Sequence, residues 1–148
     1  MKKVYRLSVL VLYLCQLAFA GPDFTGRWIY DASMSTLPNT GDLVIVHSGQ
    51  TLRITNELGS RSLTMEYILD GVEHTYLGRP GSNFRYKAVL DGVTLRITGY
   101  GNSSSLGVVN RPIDNTYILS PDNKMLTYIT TTSSRVGPIV RTKVFRRR

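Results

Sequence analysis

The chain has 148 residues, a formal charge of +8, one cysteine and two histidines. A lone cysteine excludes an internal disulfide framework, and two histidines leave little material for a structural metal site. The length suits one domain able to bury a single core without covalent staples.

Residues 1–20 read as a cleavable signal peptide. Lys2, Lys3 and Arg6 give a positive start with no acid, Leu7 to Leu17 is apolar apart from Ser8 and Gln16, and Ala18-Phe19-Ala20 offers the small-x-small pattern of a signal peptidase site. The apolar run is short for a membrane span of ~30 Å. Cys15 follows Leu12-Tyr13-Leu14 rather than small residues, which argues against a lipoprotein. Cleavage after Ala20 would leave 128 residues, no cysteine, a formal charge of +5 and no transmembrane anchor. The expected address is therefore periplasmic or extracellular, which disfavours nucleic acid as a partner. Oligomeric state is not legible.

Residues 21–148 then read as one domain of short alternating runs between turn signals. Phe24, Gly26, Trp28 and Tyr30 share a face, followed by a polar connection with room for one helical turn near Ala32 to Thr36. Strands follow at Leu43 to His47, Thr51 to Asn56 and Ser62 to Leu69. Asp70-Gly71 is read as a two-residue hairpin turn returning through Val72 to Leu77, because both positions tolerate positive φ. After a loop at Arg79 to Ser82, Phe84, Tyr86, Ala88 and Leu90 form one face of a strand, and Asp91-Gly92 turns the chain into Leu95 and Ile97. Gly99 to Pro112 is read as the longest loop, a lid or contact surface with apolar Leu106, Val108 and Val109; its Asn102-Ser103-Ser104 is a glycosylation sequon only in a eukaryotic secretory route. Asn115 to Leu119, Met125 to Thr131 and Ile139 to Phe145 complete the strands.

Thr-Leu-Arg-Ile-Thr occurs at 51–55 and 94–98, and Leu-Asp-Gly-Val at 69–72 and 90–93. That self-similarity fits an up-and-down meander better than a Greek key. A meander that must bury one face and lose its edges closes best into a barrel. The expected fold class is all-β: an antiparallel up-and-down meander closing into a barrel of roughly eight to ten strands.

The opening Phe24-Thr25-Gly26-Arg27-Trp28 carries a Gly-x-Trp signature that resembles the first strand of calycin barrels, the group of lipocalins, avidins and fatty-acid-binding proteins. With the polar stretch Ser33 to Pro38, the Asp-Gly turns and Lys143 to Arg148, the whole of 21–148 is similar to small exported bacterial lipocalin-like proteins. The resemblance implies that Trp28 plugs one barrel end, that Gly26 permits close approach there, and that a last-strand cation, Arg141 or Lys143, stacks on the indole. The departures also inform. The segment 32–42 is too short for the two helices of fatty-acid-binding proteins. Lys143-Val144-Phe145 stands where their Arg-x-Tyr pair would be, and a single Trp argues against biotin binding.

No catalytic constellation is visible, no nucleophile elbow or phosphate loop occurs, and no metal or other cofactor is expected. Asp42, Asp70, Asp91, Asp114 and Asp122 sit at turns, where local turn chemistry accounts for them. The leading functional reading is an exported, non-enzymatic binding protein that holds a small apolar or amphipathic molecule. Its cavity would be lined by Leu52, Ile54, Met65, Tyr67, Tyr86, Leu95, Ile97, Tyr117 and Tyr128. Two alternatives stay open: a protein-interaction or inhibitor module of the cell envelope, which needs a filled interior, and a calycin-type enzyme, which needs His47, His74 or Glu66 inside the cavity.

Overall fold

The computed structural model describes residues 22–39, 41–77, 82–103 and 108–148. The signal-peptide reading, the loop at 78–81 and Leu106 lie outside the described residues.

Ten strands form one antiparallel sheet in the order β4-β3-β2-β1-β10-β9-β8-β7-β6-β5. They are β1 (Gly26–Asp31), β2 (Asp42–Ser48), β3 (Thr51–Leu58), β4 (Arg61–Ile68), β5 (Glu73–Leu77), β6 (Ser82–Asp91), β7 (Thr94–Ser103), β8 (Val108–Leu119), β9 (Met125–Ser134) and β10 (Gly137–Arg147). A single 3-10 turn, Ala32–Met34, follows β1, and the Asp31 side chain caps it through the Ser33 N–H. The fold is thus an all-β, antiparallel, nearly closed up-and-down barrel.

Strand alternation puts one apolar set inside. Leu52, Ile54, Leu95, Ile97, Leu119, Leu126 and Phe145 join Phe24 and Trp28 in a single core cluster. The odd-even partners face out and pair electrostatically: Arg53 with Glu66, Arg96 with Asp114, and Arg27 with Glu57. The β1–β10 ladder, registered Trp28 to Arg147 and Tyr30 to Phe145, joins the two ends of the meander and draws the sheet round.

Two glycines are demanded by close backbone approach. A Cβ at Gly99 would lie 1.9 Å from the Arg85 carbonyl oxygen, and one at Gly41 would lie 2.0 Å from that of Glu57. Both have φ in the range that L side chains rarely adopt, +157° and +99°.

Two expectations are corrected. First, β4 and β5 do not pair, so Asp70-Gly71 is not a two-residue hairpin. The connector is held from either side instead: Leu69 N–H donates to the Gln50 carbonyl, Gly71 N–H to that of Ala88, and Ile68 N–H to the Tyr86 hydroxyl at 3.2 Å. The barrel therefore has a seam, bridged by a side chain where a ladder would be. Second, Gly99 to Pro112 is not a long loop. β7 runs to Ser103 and β8 starts at Val108, registered Gly99 to Ile113, Tyr100 to Pro112 and Ser103 to Val108. Pro112 is tolerated because β8 pairs with β9 only from Asn115 onward, which leaves its first half an edge.

Candidate functional site

The turns fall at two ends. At the first lie the β2–β3, β4–β5, β6–β7 and β8–β9 connections, with Phe24 and the C-terminal residues. At the second lie the segment after β1 and the β3–β4, β5–β6, β7–β8 and β9–β10 connections.

The first end is plugged. Trp28 and Phe24 are fully buried, and the indole N–H donates to the Phe24 carbonyl at 3.0 Å. The cation on the indole is Arg147, not Arg141 or Lys143: its guanidinium carbon sits 4.7 Å from the ring centroid, and its Nη2 donates to the Asp23 carbonyl. All of 141, 143, 145 and 147 share one face of β10, so alternation alone left the level of Trp28 open; the β1–β10 register settles it. A Cβ at Gly26 would lie 3.5 Å from Arg147 Nε, so this glycine also leaves room for the stacked side chain.

Moving along the inner face, burial falls. Leu52 and Leu95 are fully enclosed, and Tyr67, Tyr86 and Tyr117 halfway up are still below a tenth exposed. Past them Met65, Tyr76, Phe84, Asn115, Tyr128, Thr130 and Lys143 are only half-buried, although the registers place each on the inward face. Leu63, beside Asn56 on that face, is 63 % exposed. Inward side chains that still reach solvent mean that the walls stand apart at the second end.

The transition is a belt of rings. Tyr67 on β4 stands edge-on to Tyr86 on β6 with centroids 5.2 Å apart, and Phe84, Tyr76 and His74 extend that group. Tyr117 and Tyr128, on β8 and β9, are 4.8 Å apart. The Tyr67 phenol interacts electrostatically with that of Tyr128, and Tyr117 with Tyr67, so hydroxyls from separate walls converge on one region. Burial is the main reason that the Tyr67, Tyr117 and Tyr128 hydroxyls are held above the ordinary tyrosine range. Tyr128 donates to Asn115 at 3.0 Å. Neither the Tyr67 nor the Tyr117 hydroxyl makes a hydrogen bond to a described residue, and both oxygens keep some contact with solvent; the fully buried polar side-chain atom without a partner among the described residues is Arg147 Nε. Above them the Lys143 ammonium lies 5.4 Å from the Tyr128 ring centroid, and loss of hydration lowers its pKa.

All nine residues expected to line a cavity are inward. Leu52, Ile54, Leu95 and Ile97 belong to the enclosed half, Tyr67, Tyr86 and Tyr117 to the belt, and Met65 and Tyr128 to the accessible half. Sequence reading passed over Phe84, Tyr76 and Asn115, although Asn115 has the parity of Tyr117 and could have been found from it. The residues considered for an enzyme do not converge. Glu66 faces out on Arg53, His47 bonds the Gly49 carbonyl in its own turn, and His74 is paired with Asp70 at 2.9 Å beside the seam. Among the described residues no helix is long and apolar enough to cross a membrane.

No protein-family model and no curated protein sequence matches the chain. Solved structures do. A crystal structure of zebrafish ileal bile acid-binding protein complexed with cholic acid aligns with a TM-score of 0.59 at 18 % identity, covering 84 % of this chain and 98 % of that one. A fatty acid-binding protein from Drosophila melanogaster brain tissue aligns with a TM-score of 0.59 at 15 % identity, covering 83 % and 98 %. A structure described as REP1-NXSQ fatty acid transporter gives 0.57 at 12 %, covering 84 % and 95 %. At these identities the likeness establishes the barrel fold that this chain shares with them over nearly their whole length.

Proposed function

We propose that the protein binds a small amphipathic molecule inside the accessible half of its barrel and that it does so as an exported protein. The carrying observation is the pair Tyr67 and Tyr117, each more than nine-tenths buried as a residue, turned to a common region, with hydroxyls that make no hydrogen bond to a described residue and still meet solvent. Both hydroxyls sit where the enclosed half meets the accessible half, so a ligand oxygen that accepts from both takes the place of solvent there. The half-buried Lys143 ammonium on the same face favours a ligand with an anionic head, and the walls of Met65, Phe84 and Tyr76 suit its apolar body. The similar solved structures, described as bile acid- and fatty acid-binding proteins, support the same class of ligand. An interaction module would have called for a filled interior, which the fall in burial past the belt speaks against.

The test is native mass spectrometry of protein taken from its own source, followed by titration with cholate and oleate. A retained small molecule, or saturable binding that weakens in Tyr117→Leu, supports the reading. A bare protein that binds neither cholate nor oleate sinks it.

A further inference from the structure

The β9–β10 hairpin parts from its neighbours at the accessible end. β8 leaves β9 after the Asn115–Thr130 pair, and the segment behind β1 leaves β10 after the Thr36–Thr142 hydrogen bonds, yet β9 and β10 stay paired out to Ser134 and Gly137. Residues 131–134 thus carry the tip about 13 Å past the last β8–β9 pair at ~3.3 Å per residue. Ser134 locks the turn, donating to the Gly137 carbonyl at 2.7 Å and accepting from the Val136 N–H at 3.3 Å. Val136 at the tip is 94 % exposed, and Val140 behind it 62 %.

Exposed valines also occur at the plugged end, Val72 and Val93, but their company differs. There Asp70, Asp91 and Asp122 stand among Lys124 and the terminal Arg148, so both signs are mixed. Around the accessible end stand Arg61, Arg111, Arg135 and Arg141, all exposed and none in an ion pair with a described residue. The acids nearest this end, Asp31, Glu57 and Asp114, are engaged by Arg146, Arg27 and Arg96.

We propose that this end docks on an anionic lipid bilayer, with Val136 and Val140 entering the headgroup boundary and the four arginines neutralising lipid phosphates. Apolar tips ringed by cations of one sign are what an interfacial surface requires. A protein partner of ordinary surface would leave the unpaired arginines uncompensated. The proposal rests on the outer rim and not on what the interior holds.

Co-sedimentation with phosphatidylglycerol-rich and pure phosphatidylcholine vesicles tests it. Wild type and variants are prepared alike and share one N-terminus, checked by mass, so residues 1–20 cancel from the comparison. The expected result is binding to the anionic vesicles only, weakened by salt and reduced about tenfold or more in Arg135→Glu/Val136→Asp. A Val93→Asp/Lys124→Glu control at the plugged end should bind as wild type does. Far-UV circular dichroism checks folding, and Val136→Ser serves as the milder variant. No binding to anionic vesicles, equal binding to neutral ones, equal loss in the control, or a self-association that the hairpin changes abolish without any vesicle binding would each overturn the proposal. Vesicle binding by protein that takes up no cholate or oleate would uphold this inference while removing the ligand reading.

Discussion

At the plugged end, Trp28, Phe24, Leu52, Leu95, Leu119, Leu126 and Phe145 leave almost no surface to water. At the other end, side chains of the same alternation stand half-exposed around Lys143, Asn115 and Thr130. The same ten strands run through both. One half spends its inner face on cohesion, and the other keeps polar and aromatic groups apart at a cost in stability. The two halves should therefore respond in opposite ways to substitution: stability lost with little change in binding at one, binding lost with little change in stability at the other.

The largest expected effect tests the plug. Trp28→Ala removes the ring, its hydrogen bond to Phe24 and the seat of Arg147, and should cost about 3–5 kcal/mol in urea unfolding. A loss below about 1 kcal/mol would show that this end is not the cohesive one. Next comes Gly99→Ala, at mid-height. Its new Cβ meets the Arg85 carbonyl, so the β6–β7 ladder must shift, and a loss of roughly 2 kcal/mol is expected from thermal melting.

An alkaline titration probes the belt between the halves. Tyr67, Tyr117 and Tyr128 hold their protons above the ordinary tyrosine range when folded. Their contribution is fully present below the unfolded pKa of about 10 and is lost as pH rises through the folded values. Lys143, shifted down, works the other way and regains stability as pH climbs towards the ordinary lysine range. With three phenols against one amine, net stability should fall above about pH 10. Absorbance at 295 nm should show these tyrosines ionising only as the barrel unfolds; free ionisation in the folded protein would contradict the burial. Tyr67→Phe and Tyr117→Phe sharpen the other side of the comparison. Neither hydroxyl bonds a described residue and both still meet solvent, so melting should move by less than about 0.5 kcal/mol while affinity for cholate or oleate drops. The smallest effect belongs to neither half: Glu66→Gln on the outer wall breaks an exposed pair with Arg53 and should cost ~0.5 kcal/mol or less.

The fold beneath this contrast was largely legible in the residues. Period-two alternation placed Leu52, Ile54, Tyr67, Tyr86, Leu95, Ile97 and Tyr117 on one face, because inward parity in a meander is a local property. That Trp28 plugs one end beside Gly26 came from the resemblance of the first strand and not from alternation. What failed were quantities set between distant segments. The level at which β10 meets β1 decides that Arg147 stacks on Trp28, and no local pattern encodes it. Asp70-Gly71 has good turn chemistry, yet the Gly71 N–H is taken by Ala88 on β6 and the neighbouring Leu69 N–H by Gln50 in the β2–β3 turn, so the expected hairpin becomes a seam. Glycine and proline from 99 to 112 suggested a loop; the structure needs Gly99 for a close strand crossing and accepts Pro112 on a free edge. The fall in burial along the axis was invisible for the same reason, since parity says which way a side chain points and not how far away the opposite wall stands.

The β1–β10 ladder has a kinetic consequence. Among the ladders described it alone joins strands far apart in sequence; every other links neighbours. β1 to β4 and β5 to β10 can each assemble by successive hairpins, but Trp28 has no seat for its cation until Arg147 arrives. A chain emerging from its N-terminus thus leaves one edge of β1 open until the last strand is made, and completion waits on the contact with the greatest loop entropy to overcome. Folding should therefore finish in a late step that Trp28 fluorescence reports, and deletion of residues 143–148 should leave a collapsed, unfinished sheet.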